Sequence, residues 1–129
     1  MSKVYKTTKK DFEEFEAECR KWIDFFGMKD WDFFFYHEDP VWTKDCRAAC
    51  STDYCGKLAS LFLSPEWSAR PIKNEVKKVA FHEVCETLTS QLVALAESRF
   101  VCQDEINVAN HYIIRVLENT IFEGREQGQ

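Results

Sequence analysis

Three side chains in the octapeptide 79–86 could hold or serve a divalent metal ion. The segment reads Val-Ala-Phe-His-Glu-Val-Cys-Glu and lies in a run, from about 71 to 99, that is predicted to be helical. His82 and Glu86 are four residues apart, so on a helix both project from the same face, one turn from each other. Imidazole nitrogen and carboxylate oxygen are both zinc ligands. The spacing therefore predicts that His82 and Glu86 bind one metal ion.

Glu83 places a second carboxylate beside this pair. It follows His82 directly, so on a helix it is turned by about 100° from that ligand. In the motif His-Glu-x-x-His, the two His bind zinc and the Glu is the general base towards a metal-bound water. This chain has Glu86 where that motif has its second His. Glu83 is therefore the candidate catalytic base, and a third ligand must come from elsewhere in the chain.

Length and composition limit the class of protein. The chain has 129 residues, of which 45% are hydrophobic and eleven are Phe, so it predicts a single domain, 1–129, with a substantial core. Its net charge of −5 argues against a nucleic acid or an anionic membrane as a partner. There is no apolar run near the roughly 18 residues of a membrane span and no apolar signal segment at the N-terminus. These features predict a cytoplasmic protein whose six Cys are mostly reduced thiols rather than a disulfide framework.

Hydrophobic periodicity and turn residues predict an α+β fold. Phe12, Phe15 and Cys19 begin an amphipathic stripe that follows a cap-like Thr8 and ends at Gly27. Three short strands come next, and short turns between them favour a small, mostly antiparallel sheet. The predicted elements are a helix at 8–26, strands near 31–37, 47–53 and 57–63, one helix at 71–98 and a helix at 104–122, with an ordered core of about 8–122.

This order of elements, together with the altered motif, resembles the minimal zinc-peptidase core of the zincins. More closely, residues from about 10 to 122 resemble the small metallopeptidase-like proteins of phages and prophages. The resemblance implies that the motif helix packs under a twisted sheet and that a later helix brings the third ligand. It also implies a zinc peptidase that works in the cytosol of a host cell. A single uninterrupted helix at 71–98 is a condition of this interpretation.

The resemblance also implies where the third ligand lies. Those proteins carry His-Glu-x-x-His, and their last helix has an acidic pair shortly before a segment of the type Val-Ile-Arg-x-Leu-Glu-Asn. Here the last helix reads Asn-His-Tyr-Ile-Ile-Arg-Val-Leu-Glu-Asn over 110–119, so Asn110 and His111 take the places of the acidic pair. One His and one Glu are thus exchanged between the two helices. The implied ligand set is His82, Glu86 and His111, holding zinc or another divalent metal.

Other donors compete with His111 for the third position. Glu105 is a rival ligand, although an acidic residue in the first turn of a helix has a simpler explanation in the helix dipole. Cys85 borders the site and could ligate as a thiolate, although a small packing residue explains it as well. Cys46, Cys50 and Cys55 lack the regular spacing of a zinc knuckle. His37, at a strand end, is a candidate for contact with substrate.

The implied mechanism is hydrolysis of a peptide bond. The metal activates a water molecule, and Glu83 takes its proton and passes it to the leaving amine. The predicted strand at 57–63 could pair its edge with an extended peptide or protein substrate. The alternative is a catalytically inactive metallopeptidase-like fold that binds a protein partner through its aromatic surface.

Overall fold

The molecule is described here from a computed structural model, which covers residues 4–43 and 46–124. The α+β class and the order of its main elements are confirmed. In chain order the elements are β1 (Tyr5–Lys6), α1 (Lys9–Phe25), β2 (Asp32–Tyr36), β3 (Ala48–Asp53), β4 (Leu58–Leu63), β5 (Glu66–Trp67), α2 (Glu75–Leu88), α3 (Ser90–Glu97), α4 (Gln103–Leu117) and a π-helical turn (Glu118–Phe122). None of the helices in the described residues combines the length and the hydrophobicity that a membrane-spanning segment needs.

Local sequence signals determine the two ends of α1. Thr8 Oγ1 accepts a hydrogen bond from the Asp11 backbone N–H at 3.0 Å, and the Thr8 N–H donates to Asp11 Oδ2 at 2.9 Å. This reciprocal capping satisfies two N–H groups that have no partner inside the helix. Gly27 follows the helix with φ +69°, a left-handed conformation that costs glycine little. Both predicted boundaries of this helix are confirmed.

The main sheet is mixed, so the prediction of a mostly antiparallel sheet is wrong. Its strand order is β2-β4-β3. β4 runs parallel to β2 and antiparallel to β3, and it is paired on both sides. β4 therefore has no free edge for a peptide, and that prediction is also wrong. In the part of the chain that the structure describes, the outer edges of this sheet belong to β2 and β3.

The core lies between the inner face of this sheet and the helices α1 and α2. Alternate residues of β4 are buried on that face: Ala59, Leu61 and Leu63. The two helices pack closely, and Cys19 Sγ lies 3.7 Å from the carbonyl oxygen of Ala80. A two-stranded sheet of β1 and β5, which the sequence did not predict, pairs Tyr5 with Trp67 and extends the ordered region to the N-terminal side of residue 8.

The predicted single helix at 71–98 is wrong, because the chain forms two helices there. α2 begins only at Glu75, since Asn74 before it has φ +65°, a conformation outside the helix. It ends at Leu88. Beyond it, the Thr89 hydroxyl donates to the Cys85 carbonyl at 3.3 Å and the Ser90 hydroxyl donates to the Thr87 carbonyl at 2.6 Å.

Such side-chain hydrogen bonds compete with the backbone ladder and bend helices. α3 therefore starts as a separate helix at Ser90. The condition set by the zincin-like interpretation is not met, although the whole motif, from His82 to Glu86, remains within α2.

Candidate metal centre

His82, Glu83 and Glu86 form a group that can hold a metal ion. One donor atom from each side chain lies within 4.8 Å of the others. His82 Nε2 is 3.6 Å from Glu86 Oε1, which is the approach that residues four apart make on one face of a helix. The predicted pairing of these two side chains is confirmed. The structure also brings Glu83 to the same point, where the sequence had predicted only a neighbouring base.

The three donors lie at the boundary between solvent and core. The side chains of His82 and Glu86 are 68% and 53% exposed. Glu83 is only 4% exposed. Its position explains this burial, because Val76, Ala80 and Val84 form the buried stripe of α2 and Glu83 lies seven residues after the first of them. That spacing was visible in the sequence and could have predicted a buried carboxylate.

One carboxylate oxygen of Glu83 is buried without a hydrogen-bond partner. No donor among the described residues reaches this atom, Oε1. Burial is the main cause that raises the pKa of Glu83 to about 8, and hydrogen bonding to Glu86 and repulsion between the two like charges contribute to the same shift. A buried polar atom without a partner is costly to the fold. A divalent cation would supply the missing partner, so this donor set fits a metal ion.

The structure does not bring His111 to this group, and the prediction that its ring converges with His82 and Glu86 is wrong. His111 is exposed on α4, where its Nδ1 lies 2.8 Å from the carbonyl oxygen of Asn107. Ala109 and Val116 are the buried residues of this helix. His111 is turned by about 200° from Ala109 and by about 140° from Val116. The packing of α4 therefore directs His111 away from the core.

Neither of the rival donors belongs to the group. Glu105 Oε1 accepts a hydrogen bond from the Cys102 N–H at 3.2 Å, which caps the start of α4. The thiol of Cys85 is half-buried against the core, and burial raises its pKa. The group that could hold a metal ion among the described residues, which we call the metal-binding group, consists of His82, Glu83 and Glu86, and Glu105 and Cys85 lie outside it.

The remaining candidates of the sequence also lie outside this group. Cys50 Sγ lies 3.3 Å from Thr87 Oγ1, and burial raises the pKa of this thiol to about 12. His37 Nε2 is 2.7 Å from Thr7 Oγ1, and its ring stacks on Phe12 at 5.0 Å between centroids. His37 therefore fastens the N-terminal segment to the sheet.

Two cavities lie along β3 beside His82, Glu83 and Glu86, and we call them the wide end and the narrow end of the cleft. Ala48, Cys50 and Thr52 alternate on one face of this strand, the face next to α2. At the start of the strand, a cavity of about 890 Å³ extends from Ala48 to His82 and Glu83. Beyond Glu86, a cavity of about 350 Å³ borders Cys50 and Thr52. His82 and Glu83 thus line the first cavity, and Glu86 lines the second.

Comparison with protein-family models, with curated proteins and with solved structures found no match.

Metal-free protein is expected to lose stability as the pH rises from about 4.5 to about 8, the ordinary and the folded pKa of Glu83. A carboxyl group with a raised folded pKa stabilises the fold fully below its unfolded pKa, and this contribution is lost as the pH rises through the folded pKa. Urea unfolding in EDTA across this range measures the effect.

The variant Glu83→Gln keeps the shape of the side chain without its titration, so its stability is expected to vary less with pH. At pH 8 it should exceed wild-type stability by about 2 kcal/mol. Glu97→Gln, at an exposed position, is the control and should follow the wild-type profile. Parallel profiles for wild type and Glu83→Gln would contradict the burial of an unpartnered carboxyl.

Proposed function

We propose that this protein is a metal-dependent hydrolase of peptide bonds, in which His82, Glu83 and Glu86 hold zinc or another divalent ion. One observation carries the proposal: three donors, one of them a buried carboxylate with an unpartnered oxygen, meet at an open cleft. In this proposal Glu83 replaces His111 as the third donor. The altered motif supports the proposal, whereas the break after α2 means that the condition for a zincin-like fold is not met.

The donor set defines which ions to test. Catalytic zinc sites have three protein ligands and leave a fourth position for water. One imidazole and two carboxylates are a harder set than the two imidazoles and one carboxylate implied by the resemblance. Carboxylate ligands also suit manganese and magnesium. Zinc and manganese are therefore the two ions that we expect this centre to prefer.

The side chains of the centre would divide the chemistry between them. A bound divalent ion would activate water and polarise the carbonyl of the substrate. Glu83 has two carboxylate oxygens, so one can ligate while the other accepts a proton and passes it to the leaving amine. His82 and Glu86 are exposed, which leaves the solvent side of the centre open to a substrate.

β3, rather than β4, is the strand that could pair with an extended peptide. It is an edge strand of the main sheet, and both cavities of the cleft border it. An exposed edge offers backbone N–H and carbonyl groups in the pattern that strand addition uses. A peptide or protein substrate bound there would pass His82, Glu83 and Glu86.

The test is metal content followed by hydrolysis. Protein purified without chelator or added metal is expected to contain one equivalent of zinc or manganese by plasma mass spectrometry. A mixture of unstructured peptides should then be cleaved, and EDTA should stop the cleavage until metal is returned. Folded protein that takes up neither ion on titration would contradict the proposal.

The second candidate is a protein-binding module without catalysis, and one feature favours it. The side of the main sheet that faces away from α2 carries exposed aromatic rings. Phe62 stacks on Tyr36 at 5.1 Å and meets Trp42 edge-on at 5.6 Å. Phe34 and Trp42 are 46% and 55% exposed. Metal-free protein that shows no cleavage, but whose binding of a protein is lost on Trp42→Ala, would favour this candidate.

A further inference from the structure

The wide end of the cleft carries positive charge on a chain whose net charge is −5. Arg47, Lys73 and Lys78 line it together with Glu75, up to the edge of the metal-binding group. The three basic side chains come from two separate segments, the start of β3 and the start of α2. The fold therefore gathers cations at a single place next to His82.

Glu75 does not neutralise this end of the cleft. Its Oε2 forms an ion pair with Arg47, and its Oε1 accepts a hydrogen bond from the Ile72 N–H at 3.0 Å. Both carboxylate oxygens are thus occupied. Lys73 and Lys78 form no ion pair with any other residue that the structure describes. Among the described residues, no carboxylate competes with a ligand for their two ammonium groups.

The narrow end has the opposite character. Its walls are formed by Glu86, Glu97 and the hydroxyl-bearing residues Thr52, Thr89 and Ser90, and no basic residue among those described lines it. The cleft is therefore basic on one side of the metal-binding group and acidic on the other. A ligand that spans both ends meets complementary charges in only one orientation.

We propose that the cleft selects an extended peptide with an acidic side chain, whose carboxylate binds between Lys73 and Lys78 beside His82. This inference rests on the proposed function only where it assumes that the bound peptide is also cleaved. The selectivity itself is a property of binding. The cavity of about 890 Å³ has room for such a segment. Ala48, Ile72 and Val79 give it apolar walls beside the charges.

The lining of the wide end favours a peptide over a nucleic acid. Single-stranded nucleic acids bind to basic grooves in which aromatic side chains stack on the bases. Among the described residues, no Phe, Tyr or Trp lines this cavity. The aromatic residues of the outer sheet face lie on the other side of β3. The carboxylate of a peptide is thus the anion that fits.

The test compares three fluorescein-labelled peptides of equal length that carry Glu, Gln or Lys at the same positions. Fluorescence anisotropy measures their affinity for the full chain, as isolated and again in EDTA. The Glu peptide is expected to bind about fivefold or more tightly than the Gln peptide, with the Lys peptide weakest. Since the net charge of the chain favours a basic peptide, this order can come only from the local charges.

Charge reversal locates the site. Lys78→Glu or Lys73→Glu is expected to weaken binding of the Glu peptide by about fivefold or more and to remove the preference over Gln. Lys77→Glu is the matched control, because Lys77 is exposed on the same helix turn but does not line the cavity. It should change the affinity by less than about twofold.

Three results would overturn this inference. An equal loss of affinity in Lys77→Glu and Lys78→Glu would mean that only the general field of the surface acts on the peptide. Tighter binding of a single-stranded oligonucleotide of equal charge would mean that the cleft selects phosphate. Because the preference is also measured in EDTA, it can stand if the proposed hydrolase activity fails. Metal-dependent cleavage without a preference for acidic peptides would overturn this inference and leave the proposed function standing.

Discussion

Replacing His82 by alanine is expected to abolish metal binding, whereas the same replacement of His111 should leave it unchanged. His82 is the only imidazole in the metal-binding group of the described residues. His111 lies on α4, where its ring is hydrogen-bonded to the carbonyl of Asn107 in the same helix. Both side chains are exposed, so neither replacement should unfold the protein. Calorimetric titration of metal-free protein with zinc, and with manganese, measures the two affinities.

This pair of variants distinguishes two possible ligand sets. In the structure the third donor is Glu83, whereas the family resemblance implies His111. A large loss of affinity in His111→Ala would show that α4 can turn its exposed face towards α2 when metal binds. That result would support the ligand set His82, Glu86 and His111, in which one His and one Glu are exchanged between the two helices. Unchanged affinity in both variants would mean that these imidazoles bind no metal, and the proposed centre would then fail.

Glu83→Gln is expected to weaken metal binding by about tenfold or more and to remove hydrolysis. An amide is a poorer ligand than a carboxylate and cannot accept the proton of a water molecule. The binding loss should also appear as a smaller increase in thermal stability when zinc is added, because a ligand stabilises the state that binds it. Titration, thermal unfolding and peptide cleavage measure the three effects.

The same variant distinguishes the two roles of Glu83. If Glu83 is only the general base, as the sequence alone predicted, Glu83→Gln keeps full metal affinity and loses cleavage. Full affinity would therefore contradict its assignment as the third donor. Glu97→Gln is the control for the change of charge, because Glu97 lines the narrow end of the cleft without belonging to the metal-binding group. It should bind metal as the wild type does.

Local sequence was sufficient to predict the positions of most helices and strands. It did not predict the order of the strands in the sheet, which depends on contacts between distant segments. The cap at Thr8, the end of α1 at Gly27 and the three strands depend on neighbouring residues, and all are found near their predicted positions. The order of the strands depends on which of them buries its face against α1 and α2. β4 has that role and lies between β2 and β3. The sheet is mixed because β4 is parallel to β2 and antiparallel to β3.

The sequence by itself determined the pairing of His82 with Glu86, because residues four apart on a helix face the same way. It also contained the burial of Glu83, through the seven-residue spacing from Val76. Only the tertiary structure decided which helix supplies the third donor. His111 is excluded because Ala109 and Val116 fix the rotation of α4. The packing of α2 against β3 likewise created the cleft, since contacts between segments far apart in the chain leave no local periodic signal.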